Sequence, residues 1–279
     1  MATTTARERE FVFTDKHFGK AKQELYDYAG IALADHKQDM VYNRLVRRLR
    51  ELGLDNFDEY FQCLDGSPAE FTQFINALTT NLTAFFRERH HFDYVKSQIV
   101  PAIKNSPGGR LRIWSAGCSL GEEPYSLAIS LLEAGIDPAS CDVKILATDI
   151  DSKVLASART GVYEQSRVKS LPKATVHRWF LKGKSHNDGR VKVRPELQQI
   201  VTFKHLNLME EWPMKGPFDF IFCRNVMIYF DQQTQARLLQ RMADLLQPQG
   251  HLFVGHSEAL ARHQSNFELM GKTIYRKVK

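Results

Sequence analysis

The chain has 279 residues, 43% hydrophobic and 25% charged, with a formal net charge of +6 and a pI near 9.1. That length holds one large domain or two smaller ones, and the composition is globular rather than disordered or fibrous. No apolar run is long enough to span a bilayer, residues 1–13 lack the apolar core of a signal peptide, and the four cysteines (Cys63, Cys118, Cys141, Cys223) form no C-x-x-C pair.

A reducing cytoplasm is therefore expected, with no membrane insertion, no disulfide framework and no metal. Residues 15–77 predict helices. Phe18, Leu25, Tyr28 and residues 31–33 recur at helical spacing. Val41, Leu45, Leu49 and Leu52 share one face of a second helix, which Gly53 ends. Asn56 or Asp55 caps a third, carrying Phe57, Tyr60, Phe61 and Leu64. Residues 65–68 form a turn, and Phe71, Phe74, Ile75 and Leu78 mark a fourth helix. The expectation is a small all-α domain over 1–77, a connector over 78–108 and a second domain over 109–279.

From Gly109 strands and helices alternate. Strands are expected over 111–114, 143–148, 201–203, 218–222 and 251–254. Helices are expected over 124–134, 152–159 and from 231 to about 247, where Pro248 and Gly250 stop the last. This alternation predicts an α/β fold with a mainly parallel, doubly wound sheet. Residues 267–270 and 273–276 flank Gly271-Lys272 and predict a closing antiparallel hairpin. Residues 160–200 break the alternation. Asn187-Asp188-Gly189 marks a turn between Trp179-Phe180-Leu181 and Arg190–Val193, so a small antiparallel β insert is expected there.

The first strand runs into Trp114-Ser115-Ala116-Gly117-Cys118-Ser119-Leu120-Gly121-Glu122-Glu123-Pro124-Tyr125-Ser126. A small-residue turn between strand and helix lets a ligand lie against bare backbone. Asp149 ends the second strand, where an acid suits ribose hydroxyls; its alternative role is to cap the helix near Ser152. A phosphate site needs Lys with Ser or Thr at the turn's end, or a helix start free of acid. Here Glu122 and Glu123 stand at the mouth, where they repel a pyrophosphate and attract an ammonium or sulfonium. S-adenosylmethionine carries both cations and a ribose without phosphate, so it is the expected cofactor. Glu122 and Glu123 either face its amino group, with Glu123 favoured, or cap the helix start.

Ser115-Ala116-Gly117-Cys118-Ser119 and the Gly121-to-Ser126 block resemble the chemotaxis receptor glutamate methyltransferases, the CheR family. So do Asn81-Leu82-Thr83-Ala84-Phe85-Phe86-Arg87, Ala147-Thr148-Asp149-Ile150-Asp151 and Phe222-Cys223-Arg224-Asn225-Val226-Met227-Ile228-Tyr229-Phe230. The resemblance runs from near Phe18 to the C-terminus. It implies a Rossmann-like S-adenosylmethionine methyltransferase sheet with the β insert, behind the small all-α domain. It also implies that the connector contributes cofactor contacts. The implied cofactor residues are Asn81, Thr83, Arg87, Ala116, Gly117, Glu122, Glu123, Asp149, Asn207, Leu208, Arg224 and Asn225. Arg87 and Tyr229 are implied to position the reaction. Arg87 suits a two-point hold on a carboxylate. The implied reaction esterifies glutamate side chains of methyl-accepting chemoreceptors and releases S-adenosylhomocysteine.

A carboxylate nucleophile is ionised at neutral pH and needs no general base, in keeping with the lack of an evident base near these motifs. Two alternatives stay open. A nucleic-acid methyltransferase would suit the basic pI, but Asn225 is followed by Val226-Met227 without the proline pair such enzymes often carry. A protein that senses S-adenosylmethionine without catalysis is the other. Arg44, Arg47 and Arg48 share a helix face and are expected to bind the acidic helices of the chemoreceptor signalling domain. Residues 151–206 hold twelve Lys and Arg against four Asp and Glu, a local +8. That charge predicts that the insert docks an acidic receptor C-terminal peptide as an added strand. A monomer is expected.

Overall fold

The structure is a computed structural model that describes residues 9–104, 109–260 and 266–278. They form two compact units, one ending at Thr80 and one starting at Asn81. The first holds helices α1 (Asp15–Ala29), α2 (Gln38–Leu52), α3 (Phe57–Gly66) and α4 (Pro68–Leu78). Thr14, Asn56 and Ser67 cap α1, α3 and α4 by accepting from the amides of His17, Glu59 and Glu70. Gly30 and Gly53 end α1 and α2 with φ of 69° and 66°. Val41, Leu45, Leu49, Phe57, Tyr60 and Phe74 are fully buried between these helices. Leu52 departs from the expected stripe: it is the last residue of α2 and 39% exposed, because Gly53 turns the chain away.

The second unit opens with α5 (His90–Tyr94) and α6 (Val100–Lys104), joined by a π turn over Val95–Ile99. The sequence reading takes this stretch as connector and assigns no helix; Pro101 stands in α6. It is the second residue of α6, just past the π turn that already interrupts the i→i+4 ladder. The elements β1 (Arg110–Ala116), α7 (Glu122–Glu133), β2 (Asp142–Asp149) and α8 (Ser152–Thr160) follow. The insert then comprises β3 (Val162–Glu164), α9 (Lys173–Trp179), β4 (Phe180–Lys182) and β5 (Arg190–Val193). Next come α10 (Pro195–Gln198), β6 (Val201–His205), β7 (Phe218–Cys223), α11 (Gln232–Leu245), β8 (Leu246–Val254), β9 (Phe267–Gly271) and β10 (Ile274–Lys277).

The main sheet has the order β6-β2-β1-β7-β8-β10-β9. Its first five strands are parallel, and β10 runs antiparallel between β8 and β9. The insert forms a separate antiparallel sheet, β3-β5-β4. The expected class, a doubly wound sheet with an antiparallel insert, preceded in the chain by a helical unit, is what is observed. Strand β3, only three residues long, escapes the sequence reading, and Trp179 closes α9 instead of opening β4. Strand β8 starts at Leu246 rather than after Gly250. Phe218 pairs with Leu246 and Phe220 with His251, so the chain around Pro248 bulges out of the ladder, where its missing N–H does no harm.

Connections leave β1 toward β2 on one side, while β7 lies on the other. The carboxyl ends of β1 and β7 therefore form the switch point of the sheet, where ligands bind in open α/β folds.

Candidate active site

Gly117 follows β1 with φ 78°, and a Cβ there would collide with Val226 Cγ2 in the loop after β7. Gly121, φ 91°, has Ala158 Cβ within 2.9 Å of where its own would stand. Both positions need glycine: Gly117 lets the loop after β7 approach the turn, and Gly121 lets α8 pack against it. The turn keeps few amides for a ligand. Gly117 and Cys118 donate to Thr148 O (2.8 and 2.9 Å), and Gly121 to Cys118 O (3.0 Å). Ser119 N donates to Asp149 Oδ2 (2.8 Å). A phosphate cradle works by aiming free amides at the anion. This turn does the reverse and points two acids at its end.

Asp149 is buried, and burial pushes its carboxyl up to about 6. Its Oδ1 also accepts from Asp151 N at 2.9 Å. Asp151, not Asp149, caps α8, accepting from the amides of Lys153 and Val154. The same Asp151 accepts from Asn81 Nδ2 at 2.7 Å. Ser119 Oγ donates to Asn81 O (3.1 Å), and Phe86 N to Ser126 Oγ (2.9 Å). These bonds hold residues 81–87 against the turn and the first turns of α7. Phe86 and Glu88 take φ of 54° and 56°, a sharply bent path around Arg87.

The two acids are buried at the base of α7. Glu122 accepts from Arg167 Nε at 2.8 Å on Oε1, while its Oε2 has no partner. Arg167 also donates to Thr83 O at 2.9 Å. Glu123 accepts from Ser115 Oγ at 2.8 Å and Arg224 Nη1 at 2.9 Å. Burial raises both carboxyls, against the pull of Arg167 on one and Arg224 on the other. Arg224 stands against both the Phe92 and Phe222 rings, at 5.6 and 5.8 Å from their centroids. It also donates to Arg87 O and stands 3.6 Å from Glu88 Oε2. Its side chain is 1% exposed. Its guanidinium is enclosed by protein groups: Glu123, the Arg87 carbonyl, Glu88 and the rings of Phe92 and Phe222. Burial pushes the Glu88 carboxyl up, but Arg224 and His256 outweigh that and leave it lowered.

Arg87 is half-buried and donates from Nη1 to Leu82 O at 2.8 Å. Beyond β7, Asn225 takes φ 60°, and Met227–Tyr229 make one 3-10 turn that leaves Tyr229 half-buried. Glu258, after β8, accepts from the amides of Asn225, Ile228 and Gly255 at 2.6, 3.2 and 2.5 Å. Ala116 is buried at the end of β1. Asn207 and Leu208 follow β6 on the same carboxyl edge, where Leu206 N donates to Asp149 O (3.0 Å). Asn207 Oδ1 accepts from Met209 N at 3.0 Å, and Leu208 O from Arg241 Nη1 at 2.7 Å. Cys118 is fully enclosed and its thiol is pushed up by burial, so it is no nucleophile.

Three hydrogen-bonded groups thus meet here: Asn81 with Ser119, Asp149 and Asp151; the Thr83 carbonyl with Arg167 and Glu122; and Glu123 with Ser115, Arg224 and the backbone of Arg87. Arg44 and Arg48, in the first unit, are half-buried and make contacts within that unit. Arg44 donates to the carbonyls of Leu78 (2.8 Å) and Thr79 (2.7 Å), closing the end of α4. Arg48 grips buried Glu70 with Nε and Nη2 at 3.0 and 2.6 Å. Arg47 is exposed. The sequence reading also misses Asp151, Arg167, Ser126, Glu88 and Glu258. Glu258 left one signal, a carboxylate close behind a strand's carboxyl end. Arg167 was hidden among the basic residues of the insert. Glu88, His90 and His91 bring ligand atoms within 4.8 Å of one another. Arg224 beside Glu88 makes that a poor place for a dication.

An acid-bordered glycine turn at the switch point, an acid at the tip of β2 and an antiparallel strand next to the sheet edge define a doubly wound S-adenosylmethionine methyltransferase. Residues 81–276 match the family described as CheR methyltransferase, SAM binding domain, and residues 16–79 match CheR methyltransferase, all-alpha domain. The chain belongs to the CheR methyltransferase family. It is 49% identical to the chemotaxis protein methyltransferase of Salmonella typhimurium, over 96% of this chain and 92% of that one. It is 48% identical to that of Escherichia coli, over 94% and 91%. Chemotaxis protein methyltransferase 2 of Pseudomonas aeruginosa is 49% identical, over 96% and 95%. No described helix is long and apolar enough to cross a membrane.

Proposed function

We propose that the protein methylates glutamate side chains in the cytoplasmic signalling helices of chemoreceptors, leaving S-adenosylhomocysteine. The observation that carries the cofactor class is the turn whose amides are spent on Thr148, Asp149 and Cys118 while Glu122 and Glu123 close its end. Such a turn disfavours phosphate and favours a cationic nucleoside.

When bound, S-adenosylmethionine supplies a methyl group on a sulfonium, whose C–S bond breaks as the glutamate oxygen bonds the carbon. The chain's own residues then align and desolvate. Asp149, ionised, accepts the ribose hydroxyls. Glu123, 9% exposed against none for Glu122, faces the ammonium. Residues 81–87 close over the donor, and Asn207 and Leu208 border the adenine. Arg87 and Tyr229 hold the incoming carboxylate in line. No residue removes a proton, because the nucleophile carries none.

A tritiated-methyl transfer assay on chemoreceptor cytoplasmic fragments tests this. Alkali-labile label that disappears when receptor glutamates become alanine supports it. Alkali-stable label, or cofactor binding without transfer, overturns it in favour of nucleic-acid methylation or a sensing role.

A second reading concerns the insert. A groove of about 760 Å³ lies along edge strand β4. Val168, Leu171, Val176 and Phe180 give it an apolar lining, and Lys169, Lys173, Lys182, Lys184 and Arg194 give it positive charge. An acidic receptor-tail peptide carrying an apolar side chain suits both, paired to β4 as a fourth strand. Calorimetry with receptor-tail peptides decides it: no heat at high peptide concentration removes the idea.

A further inference from the structure

We propose that Glu258 is a positioning residue for methyl transfer, acting through the backbone of residues 225–229. The inference rests on the reading that this loop borders the reacting carboxylate. Glu258 is 7% exposed, and its carboxylate is not aimed at solvent. Oε2 accepts from Asn225 N (2.6 Å) and Gly255 N (2.5 Å), and Oε1 from Ile228 N (3.2 Å). Three amides on one carboxylate tie the loop after β7 to the loop after β8. Both loops lie at the carboxyl edge of the sheet.

The tie falls where the loop needs it. Asn225 is left-handed, at φ 60°, a conformation non-glycine residues rarely hold unless the surroundings fix it. The bond from its amide to Oε2 holds that residue. The bond from Ile228 N sets the 3-10 turn that carries Tyr229. Val226, between them, is the side chain against Gly117. One carboxylate therefore fixes the loop's start, its turn and its distance from the cofactor turn. Gly255 is part of the device. A Cβ there would stand 2.7 Å from Glu258 Oε2 and 3.0 Å from Asn225 N. Only glycine lets the carboxylate reach all three amides.

The test uses the full chain and a chemoreceptor cytoplasmic fragment. Glu258→Gln keeps the shape but turns an amide NH₂ toward backbone N–H groups. Activity is counted per bound S-adenosylhomocysteine, so any misfolded fraction drops out. The expected result is a kcat about tenfold lower, with KM for the cofactor and affinity for S-adenosylhomocysteine within about twofold of wild type. Combined with Tyr229→Phe, the double variant should be no slower than the slower single variant, because both act on one group. Unchanged kcat in Glu258→Gln, or losses that multiply in the double variant, overturn the proposal. A silent Tyr229→Phe with a slow Glu258→Gln removes Tyr229 from the proposed function and leaves Glu258 acting through Asn225.

Discussion

Arg167, from the insert, donates through Nε to the fully enclosed carboxylate of Glu122 at 2.8 Å. The same guanidinium reaches Thr83 O. One side chain thus latches three separate segments: the insert, the start of α7 and residues 81–87. Gln165 and Val168, in the same helical turn as Arg167, line the basic groove. The groove and the site are therefore joined by a single helical turn, Gln165–Val168.

Arg167→Ala strips the buried Glu122 of its counter-charge and leaves neither oxygen with a charged partner. Loss of one partner of a buried pair costs about 3–5 kcal/mol, and the one-third exposure of Arg167 brings the expectation down to about 2 kcal/mol. Burial already raises the Glu122 carboxyl, and without Arg167 it rises further. An acid whose folded pKa is raised contributes stability below its ordinary pKa and loses it as pH rises through the folded value. The variant should therefore be more destabilised at pH 8 than at pH 5.5 in urea unfolding. Equal destabilisation at both would show that Glu122 does not carry the effect.

Gly117→Ala tests whether the turn is built around its glycine. The change forces an alanine to φ 78° and pushes its Cβ into Val226. Gly189→Ala is the control, since Gly189 also has positive φ, 79°, with nothing within 4 Å of the added atom. The control should lose only about 1 kcal/mol of stability and keep full methyl transfer. Gly117→Ala should lose S-adenosylhomocysteine binding by more than about tenfold, read by calorimetry. Matching affinities in the two variants would reduce the turn's glycine to a backbone requirement.

Local signals were legible because their physics is local. The Gly117 turn, the Gly53 stop, the 187–189 turn and the burial of β1 and β7 follow from φ requirements and hydrophobic runs. The site's acids were visible as residues, but their partners were not. Arg224 and Arg167 lie 101 and 45 residues from the acids they hold, and nothing in composition links them. The partners of the α2 arginines were hidden for a related reason. Helical spacing places Arg44, Arg47 and Arg48 on one face, but spacing cannot say which guanidinium another helix will claim. The end of α4 claims Arg44 and Glu70 claims Arg48.

Those partners separate the three arginines by experiment. Glu70 is 5% exposed and also accepts from Tyr60 Oη at 3.2 Å. Arg48→Ala should destabilise the helical unit by about 3–5 kcal/mol, through the unpaired Glu70 carboxylate. Arg47→Glu should leave the melting temperature unchanged. If the exposed face of α2 meets acidic receptor helices, Arg47→Glu should raise KM for the receptor fragment, with a penalty that shrinks as salt is added. An Arg47→Glu protein with wild-type KM at low salt would remove α2 from the substrate surface.

Asp149 gives the clearest pH signature. Burial lifts its carboxyl to about 6, within the range of ordinary assays. Ribose hydroxyls donate to the ionised form, so cofactor affinity should be full above about pH 7 and fall about tenfold per unit below about pH 6. Without cofactor the sign is opposite. The raised carboxyl contributes stability below its ordinary value of 3.8, and that contribution is lost as pH rises through about 6. Binding near pH 6 should therefore release protons, seen as an observed enthalpy that changes with the buffer's ionisation heat. Asp149→Asn should bind more weakly and show neither the pH slope nor the buffer dependence. A wild-type affinity that stays flat from pH 5 to 7.5 would take Asp149 away from the ribose and leave it with the role it already has, holding Ser119 and Asp151 by their amides.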